Sequence, residues 1–375
     1  MSYQEFTEKM KEFQNKFLAY LENEDNSEEN YQNLISFFNE QKFGNNKDEI
    51  KLLLYTISNI SKNHFRGHNF SYKVEQILLF LKNFIQDCFS NSEIFNFFKG
   101  NNVIILFLLE ENILFMNDSI YLECREDRSF INFFRPEIKS FLKEENIRDN
   151  FDYDFDEIND QEEFDEKRKK GENDNEINEI IRNDSIEEFI VYVNKNQHEL
   201  DSKVTESIYE TNHFLIKNDE ELTLIEYAAF FGAVQIFRYL YLNGVQLKKS
   251  LWMFAIHGNN PELIEFLIEN KIKPEDETYE NCLKEAIKCH HNCMAEYIRK
   301  NLMNKHYELR NLNEKIDTNL LSYSFHYYNF SFISNQPNNH FIFYYAIKFD
   351  YLTIVDLFIK TKKIDVLETI NEIFS

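Results

Sequence analysis

Apolar side chains recur at three- and four-residue steps through most of this chain, which is the spacing of one face of an α-helix. Between residues 49 and 57, for example, Ile50, Leu53, Leu54 and Ile57 form one apolar stripe. Such a stripe needs a neighbouring helix to cover it. In the first part of the chain this pattern predicts five helices, at Gln4–Leu21, Tyr31–Gln41, Asp48–Ser61, Tyr72–Cys88 and Ser92–Leu109.

The helical pattern stops between residues 143 and 176, where the chain becomes charged and polar. An acidic run around Asp152–Glu163 is followed by the basic cluster Lys167–Lys170. A stretch of this composition buries little apolar surface, so it predicts a linker or a mobile excursion. We therefore expect three regions: an N-terminal helical region at 1–142 with at least one degenerate repeat, a charged linker at 143–176, and a repeat region at 177–375.

Self-similar segments follow the linker, and the clearest of them is Thr223–Val245. Thr223 and Glu226 have the spacing of a capping box, which predicts a helix start. Gly232 permits the positive φ that ends this helix, and Gly244 does the same for the next one. The segment thus predicts two short helices joined by a tight turn.

Weaker copies of this unit occur on both sides. In the downstream copies Asn259, His290 and Asp350 take the place of Gly232, and in the upstream copies Asp184 and Gly100 do. Asn259 lies 27 residues after Gly232.

Between His290 and Asp350, Leu320–Ile333 fills the place of a degenerate copy. Asn260 suits an N-cap and Pro261 the first helical position, while Ser185 with Glu188 predicts a second capping box. Helix pairs of this kind are predicted in both halves of the chain.

The unit at Thr223–Val245 resembles the ankyrin repeat through a set of matching positions, which are Thr223, Ala228, Ala229, Gly232, Leu240 and Gly244. The wider chain is similar to the large ankyrin-like family of unknown function that is expanded in trichomonad protozoa. The phrases that carry this similarity are Ile94–Ile113, Glu166–Asp174, Ile180–Ile190, Thr223–Val245, Ser250–Gly258 and Cys282–Asn292. The resemblance implies an all-α, ankyrin-like helix-turn-helix repeat solenoid, matched best over residues 214–300.

Two departures from the ankyrin pattern affect this expectation. Leu224 and Glu226 replace the proline and histidine of the T-P-L-H turn, and most units lack both glycines. The 27-residue spacing is also shorter than the usual ankyrin period of about 33. We therefore expect the β-hairpin fingers between repeats to be trimmed or missing.

Composition and charge narrow the function. The chain has 375 residues, only 7 glycines and a formal charge of −24, which disfavours nucleic acid and anionic membranes as partners. The five cysteines lack the spacing of a disulfide framework, so we expect them to be free thiols. No signal peptide is visible. The longest apolar run, Val103–Leu109, is too short to cross a membrane. The expected location is intracellular, in the cytoplasm.

Two patterns raise the question of metal binding. Cys289, His290, His291 and Cys293 are the residue types that zinc prefers, but the paired spacing of a structural site is missing. The stretch also falls where the repeat requires a junction between two helices, which is the favoured interpretation.

Five acidic residues have the spacing of the ligands in a calcium-binding loop, but Glu157 stands at the sixth position of that loop, where a glycine is expected. Those residues are Asp152, Asp154, Asp156, Asp160 and Glu163. We predict no metal and no cofactor at either place.

These features favour a protein–protein interaction scaffold and not an enzyme, because catalytic sequence motifs are absent and no small-molecule substrate is indicated. The partner is expected to be a protein of unknown identity, held on the concave surface of the repeats. The alternatives are a regulatory adaptor that works through the acidic segment at 143–176 and, in third place, a metal-dependent enzyme.

The ankyrin resemblance implies that contact residues occupy the two positions after the alanine pair of each first helix. Adjacent aromatic side chains at Phe230 and Phe231 would suit binding if exposed, although the next repeat could equally cover either of them. The candidate partner-binding residues are Phe230, Phe231, His257, Lys288, Lys348 and Phe349.

Overall fold

The computed structural model describes residues 1–23, 27–64, 69–144, 160–216, 222–303, 310–333 and 339–361. In this part of the chain the regular structure is helical, which confirms the all-α prediction. The helices are α1 Tyr3–Glu22, α2 Ser27–Glu40, α3 Lys47–Asn63, α4 Phe70–Cys88, α5 Asn91–Phe98, α6 Asn102–Glu110, α7 Asp118–Cys124, α8 Arg128–Phe133, α9 Arg135–Glu144, α10 Gln161–Lys170, α11 Glu176–Arg182, α12 Ile186–Asn196, α13 His213–Ile216, α14 Leu224–Phe230, α15 Val234–Leu242, α16 Leu251–His257, α17 Pro261–Glu269, α18 Glu280–Lys288, α19 Asn292–Tyr297, α20 Arg310–His326, α21 Asn339–Lys348 and α22 Leu352–Thr361.

Among the described residues, β pairing is limited to one isolated antiparallel bridge between Lys203 and Thr223. None of the described helices combines the length and apolar character needed to cross a bilayer. All five cysteines lie in the described part of the chain, and none forms a disulfide there.

The chain divides into two compact units that differ from the predicted regions. One unit combines Met1–Val74 with Lys248–Ser375, and the other is Glu75–Leu247. In the first unit, α1 packs on α22 and on a short 3-10 turn at Phe330–Phe332. The composition change used to predict boundaries at 142 and 176 could not indicate this packing, because it joins segments that are more than 300 residues apart.

Paired helices joined by one left-handed residue recur in both units. In the Glu75–Leu247 unit the pairs are α5 with α6, α11 with α12, and α14 with α15; in the other unit they are α16 with α17, α18 with α19, and α21 with α22. The residue at each junction has positive φ, and these residues are Gly100, Asp184, Gly232, Asn259, His290 and Asp350. These are the six positions that the sequence alignment placed together.

The same hydrogen bond closes several of these junctions. The amide N–H after the left-handed residue donates to a carbonyl five residues earlier, as from Ala233 to Ala228 at 2.8 Å and from Tyr351 to Ala346 at 2.8 Å. This bond satisfies a carbonyl that the end of a helix otherwise leaves unpaired. Tyr328 also has positive φ, so the degenerate copy at Leu320–Ile333 keeps the turn although its second helix is only a 3-10 turn.

The single helix predicted at Ser92–Leu109 is two helices, α5 and α6, with Gly100 between them. The predicted capping residues agree with the structure with one exception. Thr223 and Glu226 form the predicted capping box, and Asn260 caps α17 with Pro261 at its first position. The predicted capping box at Ser185 is wrong, because the Ser185 side chain makes no capping bond. The neighbouring Asp184 instead accepts hydrogen bonds from the first amides of α15, so it links two successive helix pairs.

First helices of successive pairs lie side by side. In the unit that contains the C-terminal repeats, α18 packs between α16 and α20, and α20 in turn packs on α21. In the Glu75–Leu247 unit, α11 packs on α14 and α12 on α15. The predicted alanine pair Ala228 and Ala229 is fully buried in α14, which fits the expectation that small side chains let first helices approach closely.

Part of the predicted linker is ordered. Residues 161–170 form α10, which packs on α6, and the Arg168 side chain is only 3% exposed. Arg168 makes ion pairs with Glu137 and Asp165 and donates to the Phe133 carbonyl. The helix ends at Gly171 in the left-handed conformation. The polar composition of residues 161–170 therefore led to a wrong prediction of a linker, because buried ion pairs replace the missing apolar contacts. The rest of the predicted linker, residues 145–159, lies outside the described residues.

A glycine comparison tests whether α10 is packed in this way. A Cβ on Gly171 would lie 2.2 Å from Val103 Cγ2, whereas a Cβ on Gly244 would meet nothing within 4 Å, and both residues have positive φ. We expect Gly244→Ala to lower the free energy of unfolding by about 1 kcal/mol through backbone strain alone, and Gly171→Ala by about 3 kcal/mol through strain and overpacking. Urea denaturation of both variants measures the difference. Equal losses would mean that Gly171 is not packed against α6.

Candidate functional site

The predicted contact residues of the Glu75–Leu247 unit are Phe230 and Phe231, at the end of α14. Phe230 is buried and stacks on Phe214 with ring centroids 5.9 Å apart. Phe231 is partly exposed, and the Arg182 guanidinium lies over its ring at 6.0 Å. Only Phe231 of this pair therefore reaches the surface, because the last turn of the first helix packs against neighbouring residues.

The other four predicted contact residues lie in the unit that contains both chain ends. His257 is buried at 2% exposure, so it offers no contact surface. Lys288 and Phe349 are partly exposed and Lys348 is exposed. The structure brings these three residues onto one surface, which is formed by the first helices of successive repeats.

This surface carries lysine and aromatic side chains across α18, α20 and α21. All of them are at least partly exposed. We call the group the lysine–aromatic strip, and it consists of Lys284, Lys288, Tyr323, His326, Tyr327, Tyr344, Lys348 and Phe349.

Direct contacts connect the members of the strip from helix to helix. The Lys284 ammonium lies 5.5 Å from the centre of the Tyr323 ring, which joins α18 to α20. His326 at the end of α20 stacks edge-on against Phe349, with centroids 5.4 Å apart. The Lys348 ammonium lies 5.5 Å from the Phe349 ring centre. Cations over aromatic faces are attracted by the ring quadrupole, so these side chains support one another's positions.

The strip is locally positive in a chain of charge −24. Burial, and then the positive charges of Lys284 and Lys348, lower the pKa of the His326 imidazole. The nearby acidic side chain of Glu280 is engaged by the Tyr323 hydroxyl, which donates to it at 3.0 Å. The surface therefore presents positive charge and aromatic rings together.

A buried polar cluster lies directly beneath the strip. We call it the His257 cluster, made of His257, Glu285, Lys288 and Cys289. His257 Nε2 lies 2.5 Å from Glu285 Oε1, and the Lys288 ammonium lies 2.9 Å from the same oxygen. The Cys289 sulfur lies 3.4 Å from His257 Nδ1. Lys288 belongs to both groups, so it connects the buried cluster to the surface.

The charge states of the cluster follow from burial and from its close pairs. Burial raises the pKa of the Glu285 carboxyl, but His257 and Lys288 lower it by more, and it stands at about 2. Burial lowers the pKa of the His257 imidazole and raises that of the Cys289 thiol well above its ordinary value. At neutral pH the cluster therefore holds a carboxylate, an ammonium group, a neutral imidazole and a thiol.

The order of sulfur, imidazole and carboxylate is that of a cysteine nucleophile with its base and orienting acid. Cys289 is, however, fully buried, and His257 and Glu285 are 2% and 6% exposed. No substrate can reach the sulfur in this arrangement, and burial keeps the thiol protonated. The geometry therefore gives no support to a catalytic role for these residues.

The two metal-binding patterns of the sequence have different outcomes. In the stretch Cys289–Cys293, Cys289 is buried while Cys293 is exposed, so the two sulfurs do not face one site. His290 instead serves as the left-handed junction residue. In the acidic stretch, Asp160 caps α10 by accepting from the Glu163 amide, and the predicted positions Asp152, Asp154 and Asp156 lie outside the described residues.

Sequence reasoning missed Glu285 and most of the aromatic members of the strip. Glu285 of α18 is four residues before Cys289, the C-cap of that helix, and His257 ends the preceding first helix. The repeat alignment together with the i, i+4 spacing therefore contained a usable signal. The aromatic residues of α20 were missed because this copy is degenerate. Comparison with protein-family models, curated proteins and solved structures finds no match for the chain.

The buried carboxylate supports a stability prediction. Glu285→Gln removes the charge that Lys288 and His257 face, and removing one partner of a buried ion pair costs about 3 kcal/mol. Chemical denaturation in the presence of a chelator measures the loss. Glu265→Gln, at an exposed position of α17, is the matched control and should change the free energy of unfolding by less than about 0.5 kcal/mol. A neutral outcome for Glu285→Gln would contradict the described cluster.

Proposed function

We propose that this chain is an ankyrin-like helical-repeat scaffold that binds a protein partner on the lysine–aromatic strip. The observation that carries the proposal is the continuity of the strip over α18, α20 and α21, where partly exposed aromatic rings and lysines contact one another from helix to helix. Neighbouring packed helices are 8 to 10 Å apart, so three of them present a surface roughly 20 Å wide.

The chemistry of the strip suits protein recognition. Tyrosine and other aromatic side chains supply much of the binding energy in interfaces, because they bury a large area at a small cost in conformational entropy. In the strip, His326, Phe349 and Lys348 already contact one another in the unbound chain. Side chains that are ordered before binding lose less entropy when a partner arrives.

The charge of the strip favours a partner segment that carries carboxylates. The chain as a whole has a charge of −24 and repels acidic partners, whereas Lys284 and Lys348 provide local positive charge. Lys288 adds little to it, because its ammonium is paired with the Glu285 carboxylate. Complementary charge chiefly increases the association rate and helps to orient the partner. We therefore expect binding to weaken as the salt concentration rises.

The alternative is a regulatory adaptor that works through the acidic segment at 143–176. Two lysines of that segment form ion pairs within the fold: Lys167 pairs with Glu163 and Asp174, and Lys169 pairs with Glu110. The acidic run at residues 152–157 lies outside the described residues, so a deletion of residues 145–159 tests this alternative.

Charge reversal tests the proposal. The double variant Lys284→Glu with Lys348→Glu reverses the strip while leaving the ion pair of Lys288 intact, and it should reduce capture of the native partner at least tenfold, which corresponds to about 1.4 kcal/mol. Quantitative affinity capture from the native cell, followed by titration of the captured protein, measures the effect.

Two further variants decide between the alternatives. The matched control Lys195→Glu with Lys248→Glu makes the same change in net charge at exposed positions outside the strip, and it should retain the partner. A chain lacking residues 145–159 should also retain it. Loss of the partner only on that deletion would instead favour the adaptor function, and equal capture by all variants would refute a role for the strip.

A further inference from the structure

The His257 cluster brings together three side chains of the kinds that bind zinc. Glu285 lies in α18 and Cys289, four residues later, is the residue that caps this helix; His257 reaches them from the end of α16, which packs beside α18. The nitrogen, oxygen and sulfur donors all lie within 4.8 Å of one another. We propose that His257, Glu285 and Cys289 form a zinc-binding site in which Cys289 binds as the thiolate.

The distances between the donor atoms support this assignment. Zinc bonds of about 2.0 Å to nitrogen and oxygen and about 2.3 Å to sulfur place tetrahedral ligand atoms roughly 3.3 to 3.6 Å apart. The Cys289 sulfur lies 3.8 Å from His257 Nε2 and 3.8 Å from Glu285 Oε1. The edge from the sulfur to Glu285 Oε1 needs only a small contraction. The sulfur is nearer to His257 Nδ1, at 3.4 Å, than to Nε2, so the imidazole ring must also turn for Nε2 and the sulfur to bind one ion.

The third edge changes more. His257 Nε2 and Glu285 Oε1 are 2.5 Å apart, because they share a hydrogen bond. Zinc replaces the proton between them, and this edge lengthens by roughly 0.8 Å to tetrahedral spacing. The imidazole then carries its proton on Nδ1, so the ring stays neutral.

Charge and proton balance can be written for the complete step. Zn²⁺ enters, the Cys289 thiol releases one proton to solvent, and the Zn²⁺, Glu285 carboxylate and Cys289 thiolate sum to zero charge. Lys288 now neutralises Glu285 from outside, and its side chain is 22% exposed while that of Glu285 is 9% exposed. Lys288 is therefore the member of the cluster that can move away from Glu285 when the ion enters. The site has three protein ligands, and water fills the fourth tetrahedral position.

The surroundings hold the ligand backbone in place. The carbonyl oxygen of Cys289 accepts a hydrogen bond from His64 Nδ1 at 2.7 Å, and the carbonyl oxygen of His257 lies 3.2 Å from His291 Nε2. Both histidines are buried. Fixed second-layer contacts of this kind orient metal ligands. A thiolate together with imidazole and carboxylate also selects zinc over magnesium and calcium, which prefer oxygen ligands alone.

Cobalt and zinc titrations of the full chain, purified in reducing buffer and stripped with a chelator, test the proposal. We expect one Co²⁺ per chain, with the near-ultraviolet charge-transfer absorption of a cobalt–thiolate bond, and stoichiometric displacement of that signal by Zn²⁺. Excess zinc should raise the thermal unfolding midpoint, because the ion binds only the folded chain. One proton should be released per zinc, which calorimetry in buffers of different ionisation enthalpy detects.

Variants separate the proposed site from surface binding. Cys289→Ser and His257→Asn should weaken Co²⁺ binding by about 100-fold and remove the thiolate band. Cys293→Ser is the matched control, because Cys293 is exposed and four residues away, and it should bind as the unmodified chain does. Circular dichroism in chelator establishes that each variant is folded.

Two outcomes would overturn the proposal. The first is a folded chain that binds less than one ion or shows no thiolate band. The second is a band that survives Cys289→Ser and disappears with Cys293→Ser. Because the metal site uses none of the exposed aromatic residues, its failure would leave the proposed partner binding untouched.

Discussion

The structure depends on one backbone constraint: a single residue in the left-handed conformation between two short helices. A residue with a side chain pays about 1 to 2 kcal/mol of steric strain there, yet Asp184, Asn259, His290 and Asp350 all accept it. Each such turn reverses the chain within a few residues and lets the next helix pack on the previous one. Because the turn recurs at aligned positions, first helices lie beside first helices, and the lysine–aromatic strip and the His257 cluster both follow from that register.

The N-terminal helices use the same turns as docking points. Lys51 of α3 forms an ion pair with the junction residue Asp350, and Tyr55 stacks on the junction residue Tyr328 with centroids 4.8 Å apart. Further along, His64 reaches the carbonyl of Cys289. The first and last parts of the chain therefore stabilise one unit together, and the first helices that carry the strip are held from both ends of the sequence.

Much of this architecture could be predicted from sequence, because its cause is local. The Gly232 alignment found the turns at Asn259 and His290 without a glycine to mark them, since the apolar spacing on either side was preserved. The predicted capping box at Ser185 failed: Ser185 makes no capping bond to α12, whereas Asp184, one residue earlier, caps α15. Helix α10 was missed because its stability comes from ion pairs of Arg168 that are distant in sequence.

The candidate site was harder to predict than the fold. Lys288, Lys348 and Phe349 follow from the repeat register and lie on the strip, whereas His257 has the same register but faces the neighbouring first helix and is buried. The packing of the next helix decides which of two adjacent positions faces solvent. The periodicity of the sequence does not contain information on this packing. The contacts of α1 and α3 with the C-terminal repeats left no sequence signal, because they involve single side chains without a repeat.

The most direct test of this account is the effect of glycine at an exposed left-handed position. Asn259 joins α16 to α17, has positive φ and is exposed. Asn259→Gly should raise the free energy of unfolding by about 0.5 kcal/mol, because glycine removes the strain. At an exposed position inside α17, Glu265→Gly should lower it by about 1 kcal/mol. Destabilisation by glycine at residue 259 would contradict the register of turns on which the fold and both sites are built.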